Sequence, residues 1–228
     1  MADNFAIAWD QTGERQFETG TDRGVLYVMD AGNYGDGVAW NGLTAVTESP
    51  SGAEANPIYA DNIKYAELRS AEEFGATIEA YMYPDDFAAC DGSAEIADGV
   101  YIGQQDRAKF GFSYRTKVGN DVDTAASDYK LHIVYGCTAS PSEKSYQTVN
   151  DSPEAITFSW EVTTTPVEVA NHKPTSIITL QKSKVDAAKL AALETILYGT
   201  PGDSTASPAV EEVKGRLPLP AEIIQIFS

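Results

Sequence analysis

Apolar and polar residues alternate with period 2 along most of this chain, the signature of strands with one buried face. The first such run is "GVLYVMD" at 24–30. Next comes "GVAWNGLTAVTES", where Asn41-Gly42 lies between two apolar arms and predicts a tight hairpin, since both residues tolerate positive φ. "NIKYAEL" at 62–68 is a weaker strand, and "ATIEAYMYP" sets Ile78, Ala80 and Met82 on one face before Pro84 ends it. "DDFAACDG" then suggests one helical turn. The strongest pair is "FGFSYRTK", with Phe110, Phe112 and Tyr114 on one face, and "YKLHIVYGC", with Leu131, Ile133 and Tyr135 on one face. The polar, acidic stretch 118–128 between them predicts a long hairpin with a mobile tip. Later strands are expected around Ile156, Phe158, Trp160 and Val162, and over 175–181.

The period then changes. "SKVDAAKLAALETILYG" predicts a helix over about 183–199, with Ser183 as N-cap, Asp186 completing a capping box and Gly199 closing it. Leu190, Leu193 and Leu197 form its apolar stripe, which must pack on a sheet. Residues 200–215, rich in Pro, Gly, Ser and Thr, read as a flexible linker. The tail turns apolar again at Ile223, Ile224, Ile226 and Phe227 and must dock on its own core or on a neighbouring subunit. The expected fold is mainly β: a β-sandwich or barrel of antiparallel strands with one flanking α-helix, a long hairpin loop and terminal arms. The expected division is a single β-rich domain over 1–199, the linker 200–215 and a C-terminal arm over 216–228.

Composition narrows the function. The 228 residues are 43% hydrophobic, enough for a sizeable core. The net charge of −18 argues against static binding to nucleic acid or an anionic membrane, although a surface meant to let DNA pass without sticking would also be acidic. The N-terminus lacks the basic and apolar regions of a secretory signal, and no run approaches the length of a membrane span. Cys90 and Cys137 are too few for a disulfide scaffold and read as reduced, buried thiols of a protein folded in a cytoplasm.

Candidate chemistry is sparse. Residues 71–98 contain no Lys or Arg, and Asp85, Asp86, Asp91, Glu95 and Asp98 crowd the second half. A glycosidase needs two acids facing one cleft, and nothing here singles out a pair. The favoured reading is a solvated acidic face. Asp121, Asp123 and Asp128 share one loop, but counting from Asp121 the sixth position is Ala126 and the twelfth His132, so an EF-hand fails. His132 and His172 read as ordinary histidines, and "GFSYR" around Ser113 lacks the second Gly of a nucleophile elbow. No Gly-rich phosphate loop or basic patch stands out. No catalytic, cofactor or metal residue is expected, and the chain is not expected to be an enzyme. A carbohydrate-binding β-sandwich would need an exposed aromatic platform, which Trp9, Trp40 and Trp160 do not obviously form.

In order along the chain, "ETGTDRGVLYVMD", "GVAWNGLTAVTESPSGAEANPIYADNIKY", "SAEEFGATIEAYMYPDDFAACDGSAEIADGVYIGQQ", "YKLHIVYGCTASPSEKSYQTVNDSPEAITFSWEVTTTPV", "KPTSIITLQKSKVDAAKLAALETILYG" and "RLPLPAEIIQIF" resemble the major tail proteins of long-tailed, non-contractile bacteriophages. The resemblance implies a virion structural protein, assembled in the host bacterial cytoplasm. Its subunits form hexameric rings that stack into a tail tube and serve as an acidic conduit for genome ejection. The inner tube of a contractile injection system is the alternative. Implied partners are further copies of the chain, a tape-measure protein in the lumen, tail terminator and tail-tip proteins at the ends, and double-stranded DNA in transient passage without tight binding. No cofactor or membrane is implied. Since loops and terminal arms stitch such rings together, Asp121, Asp123, Asp128, Leu217, Leu219, Ile223, Ile224 and Phe227 are the candidate inter-ring contacts.

Overall fold

The computed structural model describes residues 7–123, 128–149, 151, 153–202 and 211–228. The chain begins with a long strand β1 (Gln16–Asp30), followed by β2 (Asn33–Trp40), β3 (Leu43–Glu48) and the two-residue β4 (Ser51–Gly52). Next come β5 (Ala55–Ala60), β6 (Ile63–Arg69), the short β7 (Glu72–Glu73), β8 (Gly75–Ala80) and a 3₁₀ turn at Asp85–Ala89. Then follow β9 (Ala94–Ala97), β10 (Val100–Ile102), β11 (Phe110–Asn120) and β12 (Asp128–Ala139). β13 (Phe158–Thr164), β14 (Ile177–Gln181) and helix α1 (Ala187–Tyr198) complete the central part. β15 (Gly199–Thr200), β16 (Val213–Lys214) and helix α2 (Pro220–Phe227) close the chain.

Eight strands form one antiparallel sheet in the order β2-β1-β11-β12-β13-β8-β3, with β14 bonded to β12 as well. The mainly β expectation therefore holds, and the strands of the described residues do not close into a barrel. β12 makes the branch: residues 130–134 pair with β14 and residues 137–139 with β13. Gly136 sits at the change of partner with φ +60°, and a Cβ there would lie 2.3 Å from the Thr165 carbonyl oxygen, so only glycine fits. Beyond this point the sheet curls over. Glu48 of β3 accepts a hydrogen bond from the Tyr114 hydroxyl of β11 at 2.7 Å, although the two strands lie far apart in the bonded order.

Both faces of the central strands are buried. Leu26, Phe110, Phe112 and Tyr114 meet Trp40, Ile78 and Trp160 inside the curl. Val25, Tyr27, Leu131, Ile133 and Tyr135 face the other way and pack on Leu190, Leu193 and Leu197 of α1 and Ile223 of α2. Arg115 ties this second layer together. Its guanidinium donates to both Asp22 oxygens at 3.0 and 3.3 Å and lies 4.4 Å from the Tyr129 ring centre.

Several sequence expectations change. Asn41-Gly42 does not close a hairpin between β2 and β3: β3 pairs with β8 instead. Only Gly42 adopts positive φ, at +81°, whereas the two-residue turn that matches strand twist needs it at both positions. The helix starts after Asp186, whose carboxylate accepts from the Ala188 and Lys189 amides at 2.9 and 3.0 Å. Ser183 lies in a preceding 3₁₀ turn. Among the described residues there are two α-helices rather than one, because the apolar tail winds into α2 with Pro220 in its first turn.

Of the expected linker, residues 203–210 lie outside the described residues. Its flanks pair with each other, Gly199 with Lys214 and Thr200 with Val213. Residues 213–216 then lie along β2, with the Gly37 amide donating to the Gly215 carbonyl at 2.7 Å.

Candidate assembly surfaces

The β5–β6 hairpin is built locally. Asp61 and Asn62 both take positive φ, 50° and 63°, as a two-residue primed turn requires. The register runs from Ala55 opposite Arg69 to Ala60 opposite Ile63. Among the described residues neither strand bonds to any third strand. Tyr59 (67%), Ile63 (64%) and Tyr65 (74%) are largely exposed, and Ile58 and Leu68 are also open. A lone two-stranded hairpin is marginal in water, and exposed apolar strands template pairing with other chains. Glu67 accepts two hydrogen bonds from the Arg69 guanidinium, at 3.1 and 2.7 Å, and is also ion-paired with Lys64. Two cations therefore share one carboxylate.

A second apolar hairpin is β9–β10. Gly99 at its tip has φ +73° and donates its amide to Glu95 at 2.8 Å. Ile96 is 62% exposed, and Val100, Tyr101 and Ile102 are open beside it. Its base is anchored. Phe87 and Cys90 of the preceding turn are buried in the aromatic core. The Asp91 side chain is 7% exposed, ion-paired with Lys144, 3.6 Å from Arg107, and accepts from the Trp160 indole at 3.2 Å. The acidic run 71–98 is thus divided. Asp91 is an internal anchor, and Asp85, Asp86, Glu95 and Asp98 stay on the surface.

The candidate contact residues fall in two places. At the tip of the β11–β12 hairpin, Asp121 accepts from the Gly13 amide at 2.9 Å and stands 3.9 Å from Arg15. Asn120 receives the amides of Val122 and Asp123 at 3.0 and 2.5 Å, so the tip is stitched to itself and to the N-terminal segment. Residues 124–127 of this tip lie outside the described residues. Asp128 turns inward to Gln181 at 2.8 Å and to the Ser183 hydroxyl and amide at 2.7 and 3.0 Å. Burial pushes its carboxyl up, but these hydrogen bonds outweigh it and the net displacement is downward.

In the C-terminal segment, Leu217 and Ile223 are buried in the subunit's own core and Phe227 is partly buried against it. Leu219 and Ile224 are exposed. The exposed residues of the two hairpins were not singled out from sequence. The dipeptides Asp61-Asn62 and Asp98-Gly99, each between apolar arms, were the available signals.

Trp40 and Trp160 are buried, which removes them from any aromatic platform. Among the described residues no group of three or more His, Cys, Asp or Glu side chains is placed to hold a metal ion. Nor is any helix among them long and apolar enough to cross a membrane. Burial pushes the Cys90 thiol up to about 12, and it raises Cys137 further. Thiols so displaced stay protonated and unreactive at neutral pH.

His132 is buried. Its ring stacks on Tyr114 with centroids 4.6 Å apart, and its nitrogens lie 3.0 Å from the Thr116 hydroxyl and 3.2 Å from the Thr179 hydroxyl. Burial lowers its pKa below the ordinary 6.5, against the opposing pull of Glu48 and Glu18. As pH falls through 6.5 the unfolded chain takes up this proton first, so stability drops until pH reaches the lower folded value. Glu18, Asp22 and Asp128 are held below their ordinary 4.5 and 3.8, and their contribution is lost in a second, more acidic window. The urea midpoint is therefore expected to fall between about pH 7.5 and about pH 5.5, and His132→Gln should flatten that limb while leaving the acidic one. An unchanged slope in the variant would place the proton uptake elsewhere.

No family model and no curated protein matches the chain. Among solved structures, a chain of the anti-feeding prophage baseplate, determined by cryo-EM and six-fold symmetrised, is similar over 76% of this chain and 97% of its own length. The identity is 7% and the TM-score 0.35. A likeness that low leaves fold and function to the chain's own residues.

Proposed function

We propose that this chain is the self-assembling subunit of a phage-type tail tube, whose copies form six-membered rings that stack into a hollow conduit. The observation that carries the reading is the pair of isolated hairpins, β5–β6 and β9–β10, whose apolar side chains stand in water in a single copy. The segments that resemble major tail proteins span nearly the whole sequence and support the same reading. A tape-measure protein fills the lumen during assembly, and terminator and tip proteins close the ends. Duplex DNA later moves through a channel whose walls repel it.

Negative-stain images of the purified protein are expected to show tubes or six-fold rings. Monomers alone, in virions as well as in the isolated protein, would overturn the reading. Each subunit carries −18, so copies repel one another over the screening length of roughly 8 Å at physiological salt. Assembly is accordingly expected to improve from low to moderate ionic strength. The protein is expected to show no measurable affinity for double-stranded DNA at moderate salt. Tight binding that falls steeply with salt would contradict an acidic conduit.

A further inference from the structure

We infer that Arg23 joins copies of this chain: its guanidinium takes a carboxylate of a neighbouring copy, in the concavity it shares with Tyr198, Asn41 and Leu43. The inference rests on the self-assembling reading above and adds which side chain makes a joint. Arg23 lies inside β1 with φ 50°. Every other non-glycine residue with positive φ among the described residues lies in a turn, bend or loop outside the strands. The conformation comes from a bulge. Asp22 pairs with Arg115 and Val25 with Ser113, so Arg23 and Gly24 together face Tyr114 alone. The left-handed position of such a bulge is ordinarily a glycine, because a bulky side chain there is strained. The β2 ladder stops at Gly24, and among the described residues the part of β1 before Arg23 pairs with β11 only, so the bulge opens onto a sheet edge.

The subunit itself makes little use of this arginine. Its guanidinium stands 5.7 Å from the Tyr198 ring centre, near the outer limit of a cation–π contact. Asp22, its neighbour in the chain, is held by Arg115 at 3.0 Å and by Lys117 at 3.6 Å. Arg15, Arg69, Arg107, Arg115 and Arg216 each have a carboxylate within 4.0 Å. Arg23, the remaining arginine of the chain and an exposed one, has none among the described residues. Strain kept at a residue with so little to hold inside the subunit points to a use outside it. Each copy carries 34 Asp and Glu against 16 Lys and Arg, so an exposed arginine at a joint between copies meets a carboxylate. Arginine is enriched at such joints because its planar fork can hold a carboxylate by two hydrogen bonds. The pair also offsets part of the repulsion between copies of like charge.

Arg23→Gly separates the strain from the contact. Glycine adopts the bulge freely, so the urea midpoint of the full-length variant is expected to rise, while the protein concentration needed for assembly rises about tenfold. Arg23→Lys identifies the acceptor. Particles assembled from isotope-labelled and unlabelled copies of this variant are treated with a water-soluble carbodiimide and digested for mass spectrometry. The introduced amine is expected to form an amide with an Asp or Glu side chain of another copy. Unchanged assembly of Arg23→Gly would overturn the inference while leaving the self-assembling reading in place. So would an amide formed only within one chain. A weaker hold on duplex DNA with assembly unchanged would overturn it as well, assigning the guanidinium to phosphate. An unmodified protein that never associates would remove both readings.

Discussion

Deletion of residues 216–228 is expected to leave a chain that does not fold, not merely one that fails to assemble. Leu217 and Ile223 are buried at 4% and 5% exposure against Leu131, Ile133 and Tyr135 of the sheet and the leucine stripe of α1. The Tyr135 hydroxyl donates to the Pro218 carbonyl at 2.9 Å in the same layer, so the deletion also strands a buried donor. The entry to the segment is sterically matched as well. A Cβ on Gly215 would lie 2.2 Å from the Leu197 carbonyl oxygen. Truncating a buried Leu or Ile costs about 2–5 kcal/mol each, so the two together approach the roughly 5–15 kcal/mol that holds a domain folded. The double variant Leu217→Ala/Ile223→Ala tests this without shortening the chain. Its urea midpoint should collapse, whereas Leu219→Ala and Ile224→Ala, at exposed positions, should shift it little. A truncated chain that stays soluble with an intact unfolding transition would show that the C-terminal segment is only laid on the subunit.

Trp160→Ala is expected to be the most damaging single substitution on the other face, at about 3–5 kcal/mol. The indole is fully buried, with ring centroids 5.1 Å from Phe87, 5.2 Å from Tyr83 and 5.7 Å from Trp40. It also donates to Asp91 at 3.2 Å, and Asp91 holds Lys144 and Arg107. The substitution therefore opens a cavity and loosens the base of the β9–β10 hairpin at once. Trp160→Phe separates the two effects. It keeps a six-membered ring in the core and removes the hydrogen bond together with a smaller part of the buried ring, with an expected loss of about 1–3 kcal/mol. Chemical denaturation of both variants, followed by near-ultraviolet circular dichroism, reads the difference. Equal losses would mean that the hydrogen bond to Asp91, rather than the ring, supports this core.

Fold class was legible because alternation is a local property. Phe110, Phe112 and Tyr114 alternate strongly enough to mark β11, and Leu190, Leu193 and Leu197 mark α1. The paired β11 and β12 were likewise visible as two alternating arms around a polar tip. What alternation does not carry is the identity of the layer each face meets. Phe112 and Ile133 each read as part of their strand's apolar face, yet they belong to opposite cores, because helices cover one face and the curled sheet the other. Helix α2 was hidden for a related reason. Eight residues make a helix that is marginal on its own, and it persists where Ile223 is buried against α1 and the sheet.

The assembly surfaces divide in the same way. The primary sequence alone determined that the chain is β-rich and acidic, and that Asp61-Asn62 and Asp98-Gly99 interrupt apolar arms, since turn chemistry and charge are written residue by residue. It did not determine that those hairpins stand free of the main sheet, for that depends on which strands β3 and β8 accept as partners. The same holds for Asp91. In the sequence it is one acid among many, and it becomes a buried anchor because Lys144, 53 positions away, and Trp160, 69 positions away, are brought to it. Local pattern sets what each segment can become. The closure of distant segments on one another decides which apolar faces are buried in the subunit and which are left for another copy.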